Sequence, residues 1–195
     1  MIALIDYGAG NLKSVANALD DLNTNYVITR RSDEIESAEK IIFPGVGEAA
    51  SAMEKLEQNN IIDTIRNTKK PLLGICLGMQ LLGTFSEERN TKCLDVVKAC
   101  VKQFDAELVK VPHMGWNQVE FQKQNKLFNN LESGQNLYFA NSFYVTITEY
   151  TIATTIYNQP FSASINKENF YGVQFHPEKS GKAGLQILRN FIELC

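Results

Sequence analysis

Apolar residues in the first part of the chain come in short runs. Ile2–Ile5, Tyr26–Thr29, Lys40–Phe43 and Leu72–Ile75 each read as a strand. Between them the period changes. Leu12, Val15, Ala16, Leu19 and Leu22 recur at helical spacing, and Ala49–Gln58 is rich in the helix formers Ala, Met, Glu and Lys. Gly8-Ala9-Gly10 reads as a turn after the first strand, Pro44-Gly45 ends the third, and Pro71 opens the fourth. Apolar runs too short to alternate, separated by helices, predict a parallel sheet covered on both faces.

From about residue 95 the texture changes. Val96–Val101, Asn117–Phe121, Leu137–Ala140, Phe143–Ile147, Ile152–Tyr157 and Phe161–Asn166 are β-branched and aromatic, with few helix signals between them. They predict antiparallel strands added to the sheet. Tyr171–Phe175 reads as a further strand. A closing helix follows over Ala183–Leu194, with Leu185, Leu188, Phe191 and Ile192 on one stripe. No repeat or linker interrupts the pattern, so residues 1–195 read as one α/β domain. Its expected form is three layers: a mainly parallel sheet between helices, with antiparallel strands in the second half.

The chain has 195 residues, 44% of them hydrophobic, which is enough for one sizeable core. A net charge of −3 gives no general attraction to nucleic acid, and Arg30-Arg31 and Lys69-Lys70 are too short to form a basic patch. No apolar run reaches the length of a membrane span. The start has no basic region and Asp6 cuts its apolar run, so no targeting segment is expected and the cytoplasm is the expected compartment. Four cysteines without a C-x-x-C pair and only two histidines give no metal-ligand spacing, so neither a metal nor a disulfide is expected.

One pentapeptide carries chemistry. Gly74-Ile75-Cys76-Leu77-Gly78 lies between an apolar strand and a helix expected from Met79 to about Gly83. This is the sharp strand-to-helix elbow that exposes a nucleophile, here with cysteine at its apex. The turn crowds the positions two residues either side, which calls for glycine there. It sets the sulfur at the sheet's carboxyl end, near a helix start that favours thiolate. The plainer alternative is a buried structural cysteine; Cys93, Cys100 and Cys195 have no such setting and read that way.

A cysteine hydrolase also needs a base and a group that orients it. His176 follows the Tyr171–Phe175 strand, and Glu178 comes two residues later, on the same side if the chain is extended. His113, in Pro112-His113-Met114-Gly115-Trp116-Asn117, has no carboxylate near it in sequence and is not assigned as base. Pro44-Gly45-Val46-Gly47 could bring backbone N–H groups to a substrate and, with the N–H of Leu77, form an oxyanion hole. Read loosely, Gly45-Val46-Gly47-Glu48-Ala49-Ala50 also fits a dinucleotide fingerprint. That makes a non-catalytic binding module one rival, and a stand-alone cysteine hydrolase or glyoxalase-like chaperone another. Neither rival explains Gln80 together with Phe175-His176-Pro177-Glu178-Lys179-Ser180.

Gly74-Ile75-Cys76-Leu77-Gly78-Met79-Gln80 with Phe175-His176-Pro177-Glu178 resembles the class I, triad-type glutamine amidotransferases. The resemblance covers the whole chain and implies their flavodoxin-like architecture. Asp6-Tyr7-Gly8-Ala9-Gly10-Asn11-Leu12, the 112–117 segment and His176–Ser180 narrow it to the glutaminase subunits of imidazole glycerol phosphate synthases. The resemblance implies Cys76 as nucleophile, His176 as acid and base, and Glu178 as its orienter. It implies that Gly45, Val46 and Leu77 supply the oxyanion region, with a Val46 peptide that must reorient before the hole is complete. Gly47, Gln80, Asn141 and Ser142 would bind L-glutamine. Asn11, Trp116, Asn117 and Lys179 would face a (β/α)₈-barrel cyclase subunit that forms a heterodimer with this chain and receives its ammonia. No cofactor is implied. The family usually has His-Ser-Tyr where this chain has Asn141-Ser142-Phe143. That departure admits a sister branch, which supplies ammonia to a sugar-modifying partner in surface-polysaccharide synthesis.

Overall fold

The computed structural model describes residues 1–8 and 11–195; the turn expected at Gly8-Ala9-Gly10 lies partly outside them. Four strands appear where the apolar runs predict: β1 (Ile2–Ile5), β2 (Tyr26–Thr29), β3 (Lys40–Gly45) and β4 (Leu72–Cys76). β3 continues through Pro44-Gly45 rather than stopping there, because its last two residues still pair with β4. The helices α1 (Leu12–Asp21) and α3 (Ala49–Gln58) match their predicted spans. Two helices were not legible: α2 (Ser32–Ser37) and α4 (Ile62–Asn67) bury little beyond Ile35 and Ile65, too few positions to show a period. α5 is Leu77–Leu81, starting directly at the elbow rather than at Met79.

In the second half, β8 (His113–Phe121), β9 (Gln135–Asn141), β11 (Thr151–Tyr157), β12 (Gln159–Lys167) and β13 (Phe170–Val173) precede the closing helix α6 (Gly181–Leu194). The main sheet has the order β2-β1-β3-β4-β13-β12-β11-β8-β9. Its first five strands are parallel; from β12 outward every pairing is antiparallel. Two of the predicted additions go elsewhere. β7 (Cys100–Gln103) and β10 (Phe143–Val145) pair with each other in a separate small sheet completed by the two-residue strands β5 (Phe85–Ser86) and β6 (Thr91–Lys92). The strand expected over Val96–Val101 exists only at its end. Val96 and Val97 are buried in a loop whose N–H groups both donate to the Leu82 carbonyl, so their apolar character reflects burial without a ladder.

Side-chain alternation divides the core. Ile2, Leu4, Ile42, Leu73 and Ile75 point to one face of the sheet, where α1 and α6 cover them with Leu19, Ile187, Leu188 and Phe191. Ala3, Ile5, Ile41, Phe43 and Leu72 point to the other, against Ile35, Ala52, Leu56 and Ile65. Both faces of β1 are buried, which is why it could not alternate in sequence. The result is the three-layer architecture expected. It brings the carboxyl ends of β3, β4 and β13 side by side. Gly45 stands opposite Cys76 and Val173 opposite Ile75, so the segment after β13 emerges next to the elbow.

Candidate active site

Cys76 ends β4 with φ 54° and ψ −110°, a left-handed backbone that a side chain adopts only under local constraint. The flanking glycines supply that constraint. A Cβ on Gly74 would stand 2.8 Å from the Gly78 carbonyl, and one on Gly78 would stand 1.9 Å from the Phe43 carbonyl oxygen. The elbow therefore closes only with hydrogen at both positions, as the sequence implied. The sulfur is buried. It lies 3.9 Å from the Ala140 carbonyl and 3.7 Å from the side-chain amide nitrogen of Gln174; His176 lines the gap next to the elbow, close enough for the charges of imidazole and sulfur to be coupled.

His176 and Glu178 meet, but not through an extended chain. Pro177–Lys179 forms a single 3₁₀ turn, which swings the Glu178 carboxylate back so that His176 Nδ1 donates to Oε1 at 2.8 Å. Both side chains are buried, 3% and 1% exposed, so the carboxylate acts with little screening. This contact takes Nδ1 and leaves Nε2 for the sulfur. Burial lowers the imidazole's proton affinity, yet hydrogen bonds and Coulomb attraction from Cys76 and Glu178 outweigh it and hold the His176 pKa well above its ordinary value. The backbone is pinned as well: His176 N–H donates to the Tyr138 carbonyl, and the Ser180 hydroxyl donates to the His176 carbonyl while accepting from Tyr138 N–H. The arrangement can move a proton between sulfur and a leaving group.

A cavity of about 140 Å³ opens over the sulfur, lined by Val46, Gly47, Leu77, Gln80, Asn141 and Ser142 among others. Gly45 is brought beside it by the β3–β4 register, and Val46 is 38% exposed at its rim. Gln80 donates from Nε2 to the Phe143 carbonyl and to Gln174 Oε1, both at 2.9 Å. Asn141 likewise donates to the Phe143 carbonyl, and its buried Oδ1 has no partner among the described residues. Sequence reasoning missed Glu88, the one charged side chain that the described residues contribute to the lining. Its carboxylate accepts from Ala49 N–H at 2.6 Å, at the start of α3. That contact also disposes of the dinucleotide reading, since a pyrophosphate would need the helix start that Glu88 already occupies.

Trp116 and Met114 are 58% and 65% exposed, so Trp116 is not a core residue. Its ring meets Tyr138 edge-on at 6.0 Å, and exposed Lys179 lies over the same Tyr138 ring. Asn117 donates to the Ile156 carbonyl nearby. Asn11 instead lines a narrow gap with Pro44, Gly45, His176 and Glu178, closer to the candidate triad than to Trp116's surface.

His113 is stacked between Phe139 and Tyr157, and burial depresses its pKa to about 4. The ring thus stays neutral in the folded chain down to about pH 4, while the unfolded chain takes up its proton near 6.5. In that window the unfolded state binds more protons, so stability present above pH 6.5 is lost as pH falls. His113→Phe is expected to flatten this slope: the drop in unfolding free energy between pH 7 and 4 should shrink by up to about 3 kcal/mol, read by denaturant titration at both pH values. An unchanged slope would show that His113 does not carry it.

Residues 3–194 match the family model for glutamine amidotransferase class-I. A Campylobacter jejuni strain RM1221 protein named imidazole glycerol phosphate synthase subunit HisH 2 is 51% identical over 98% of this chain and 97% of its own length. A Bacteroides fragilis protein named as the HisH subunit is 46% identical, with 99% of each chain covered. Among solved structures, one described as a glutamine amidotransferase superposes with a TM-score of 0.77 at 17% identity, covering 100% of this chain and 98% of that one. The PurLQS structure from Thermotoga maritima gives 0.69 at 20% identity, over 98% of this chain and 96% of the matched one. A family model matched over residues 3–194, relatives 46–51% identical over nearly the full length, and an elbow cysteine beside a histidine–glutamate pair place this chain in the class I glutamine amidotransferase family.

Proposed function

We propose that this chain is the glutaminase subunit of an imidazole glycerol phosphate synthase in histidine biosynthesis. The observation that carries the chemistry is Cys76 in the lining of a cavity large enough for one small amino acid, with the hydrogen-bonded His176–Glu178 pair in the gap beside its elbow. Glutamine fits its lining. The Glu88 carboxylate and the unpartnered Asn141 Oδ1 suit the α-ammonium, while Gln80, Ser142 and the backbone around Gly47 offer polar contacts to the rest.

The Cys76 thiolate attacks the side-chain amide carbon of glutamine. Leu77 N–H, the first of α5 and without a helical acceptor, takes part of the oxyanion charge, and the Gly45–Val46 peptide supplies the rest once its N–H turns inward. His176 gives its proton to the departing ammonia, leaving a γ-glutamyl thioester on Cys76. A water then loses a proton to His176 and attacks the thioester, and glutamate leaves as the thiolate is restored. Glu178 stabilises the imidazolium in both halves. No metal or organic cofactor enters these steps.

Ammonia is a nucleophile only while unprotonated, so its release must be coupled to a partner. The relatives' names specify a synthase subunit, and the partner proposed is a cyclase with a (β/α)₈ barrel in a cytoplasmic heterodimer. Trp116 and Lys179 are exposed and Asn117 is half-buried, which suits that interface; Asn11, beside Gly45 and His176, suits a link between it and the oxyanion region. Adding the barrel and its acceptor should raise glutamine hydrolysis by about 10²–10³-fold, the worth of one oxyanion donor. Full activity in the lone chain would sink the gated hole. Activation by a sugar-modifying enzyme instead of the cyclase would move the chain to the sister branch, which the Asn141-Ser142-Phe143 departure leaves open.

A further inference from the structure

We infer that Gln174 is a positioning residue for the nucleophile, donating a hydrogen bond from its buried side-chain amide that holds the Cys76 sulfur as thiolate. The assignment rests on reading Cys76 as the nucleophile. Gln174 is completely buried one position beyond the Val173–Ile75 pairing, so the sheet register sets it abreast of Cys76.

The direction of its amide follows from its neighbours. The Phe143 carbonyl can only accept, so Gln80 must present its NH₂ there. The same NH₂ group donates to Gln174, which must therefore turn its oxygen toward Gln80. The Gln174 NH₂ is then left facing the sulfur at 3.7 Å. This relay of two amides leads from the glutamine cavity to the reacting atom. An N–H aimed at sulfur favours thiolate over thiol, whereas the competing contact, Ala140 carbonyl at 3.9 Å, can only accept from a protonated thiol. The same N–H would stabilise the sulfur as it leaves the thioester.

The other titratable groups around the sulfur are His176, Tyr7, whose buried phenol lies within Coulombic reach, and Glu88 across the cavity; Glu178 acts through the imidazole. None of them is altered by Gln174→Met, which keeps the side chain's length and removes the donor to sulfur together with the acceptor for Gln80.

The rate of Cys76 alkylation by iodoacetamide, followed against pH in the full chain with the site assigned by mass spectrometry, tests the role. The midpoint should rise by about one pH unit in Gln174→Met, and further in Gln174→Glu, whose carboxylate would face the sulfur. With a cyclase partner present, kcat for glutamine should fall by a larger factor than KM rises, because the loss at sulfur exceeds the loosening of Gln80, which keeps its bond to the Phe143 carbonyl. A midpoint that stays put in folded Gln174→Met overturns the inference. Should that variant fail to fold, the Gln174 side-chain amide resonances in the wild-type chain must move with the Cys76 midpoint; resonances that ignore it overturn the inference equally. The broader reading fails separately, if wild-type Cys76 forms no γ-glutamyl adduct.

Discussion

Cys76→Ala should abolish glutamine-dependent synthesis while synthesis from added ammonium salts continues once the cyclase partner is present. The expected loss in glutamine turnover is about 10⁴-fold or more, because removing a nucleophile that works as a unit with its base removes the covalent route altogether. Cys76→Ser should do little better. Serine keeps the elbow, but its hydroxyl sits in a pocket arranged for a thiolate beside an imidazolium, and an alkoxide is far costlier to form there. The raised pKa of His176 gives the companion result in pH. Its stabilising contacts with Cys76 and Glu178 are fully present below the ordinary imidazole value of 6.5 and are lost only as pH rises through the elevated folded value. Glutamine turnover should therefore show no alkaline decline at the ordinary histidine pKa, as a pH series of kcat with saturating partner would record. Ammonia-dependent synthesis surviving in Cys76→Ala separates a lost nucleophile from a lost complex. Residual glutamine-dependent synthesis at wild-type rates would remove Cys76 from the mechanism.

The parts of the site that could be read in the sequence are those fixed by local sterics. Gly74 and Gly78 are legible because the elbow leaves room for nothing larger, and His176 and Glu178 because they stand two positions apart, with only Pro177 between them. Even there the sequence suggested an extended chain, and Pro177 instead starts a 3₁₀ turn that performs the same approximation. Glu88 and Gln174 were missed for a different reason. Glu88 lies in a short irregular stretch after β5 and reaches the cavity only because α3 offers its first N–H groups across from it. Gln174 reads in sequence as one more strand residue; its neighbours at Gln80 and Cys76 are set by the pairing of β13 with β4, nearly a hundred residues away. The fold shows the same division. β1 and β4 announced themselves through burial on both faces, whereas β5 and β6, two residues each, carry no pattern, and Val96 and Val97 mimic a strand because a buried loop is as apolar as one.

Gly78→Ala should cost more stability than any other single methyl added at these glycines, apart from a rival at Gly184. Its Cβ would meet the Phe43 carbonyl oxygen at 1.9 Å, and that oxygen belongs to the backbone of β3, which has a pairing strand on either side. Nothing flexible can give way, so α5 must move off the sheet. Overpacking of this kind costs about 1–3 kcal/mol when side chains can adjust. With only backbone to yield, the upper end is the expectation, about 3 kcal/mol, or roughly 10 °C in Tm for a chain of this size. Gly47→Ala is the informative contrast. Its φ of +98° strains a side chain, but no atom of the described residues lies within 4 Å of the added methyl, so the cost should stay near the roughly 1–2 kcal/mol of a left-handed backbone. Thermal melts of the two variants distinguish contact from conformation. In Gly78→Ala that remains folded, glutamine turnover should fall further than stability alone explains. The Phe43–Gly78 contact sets the distance between β3 and α5, and hence between Gly45 and the N–H of Leu77; a displacement near 1 Å there is worth about 10²-fold in rate. Equal melting temperatures for the two variants would mean that α5 is held less tightly against β3 than the carbonyl contact implies.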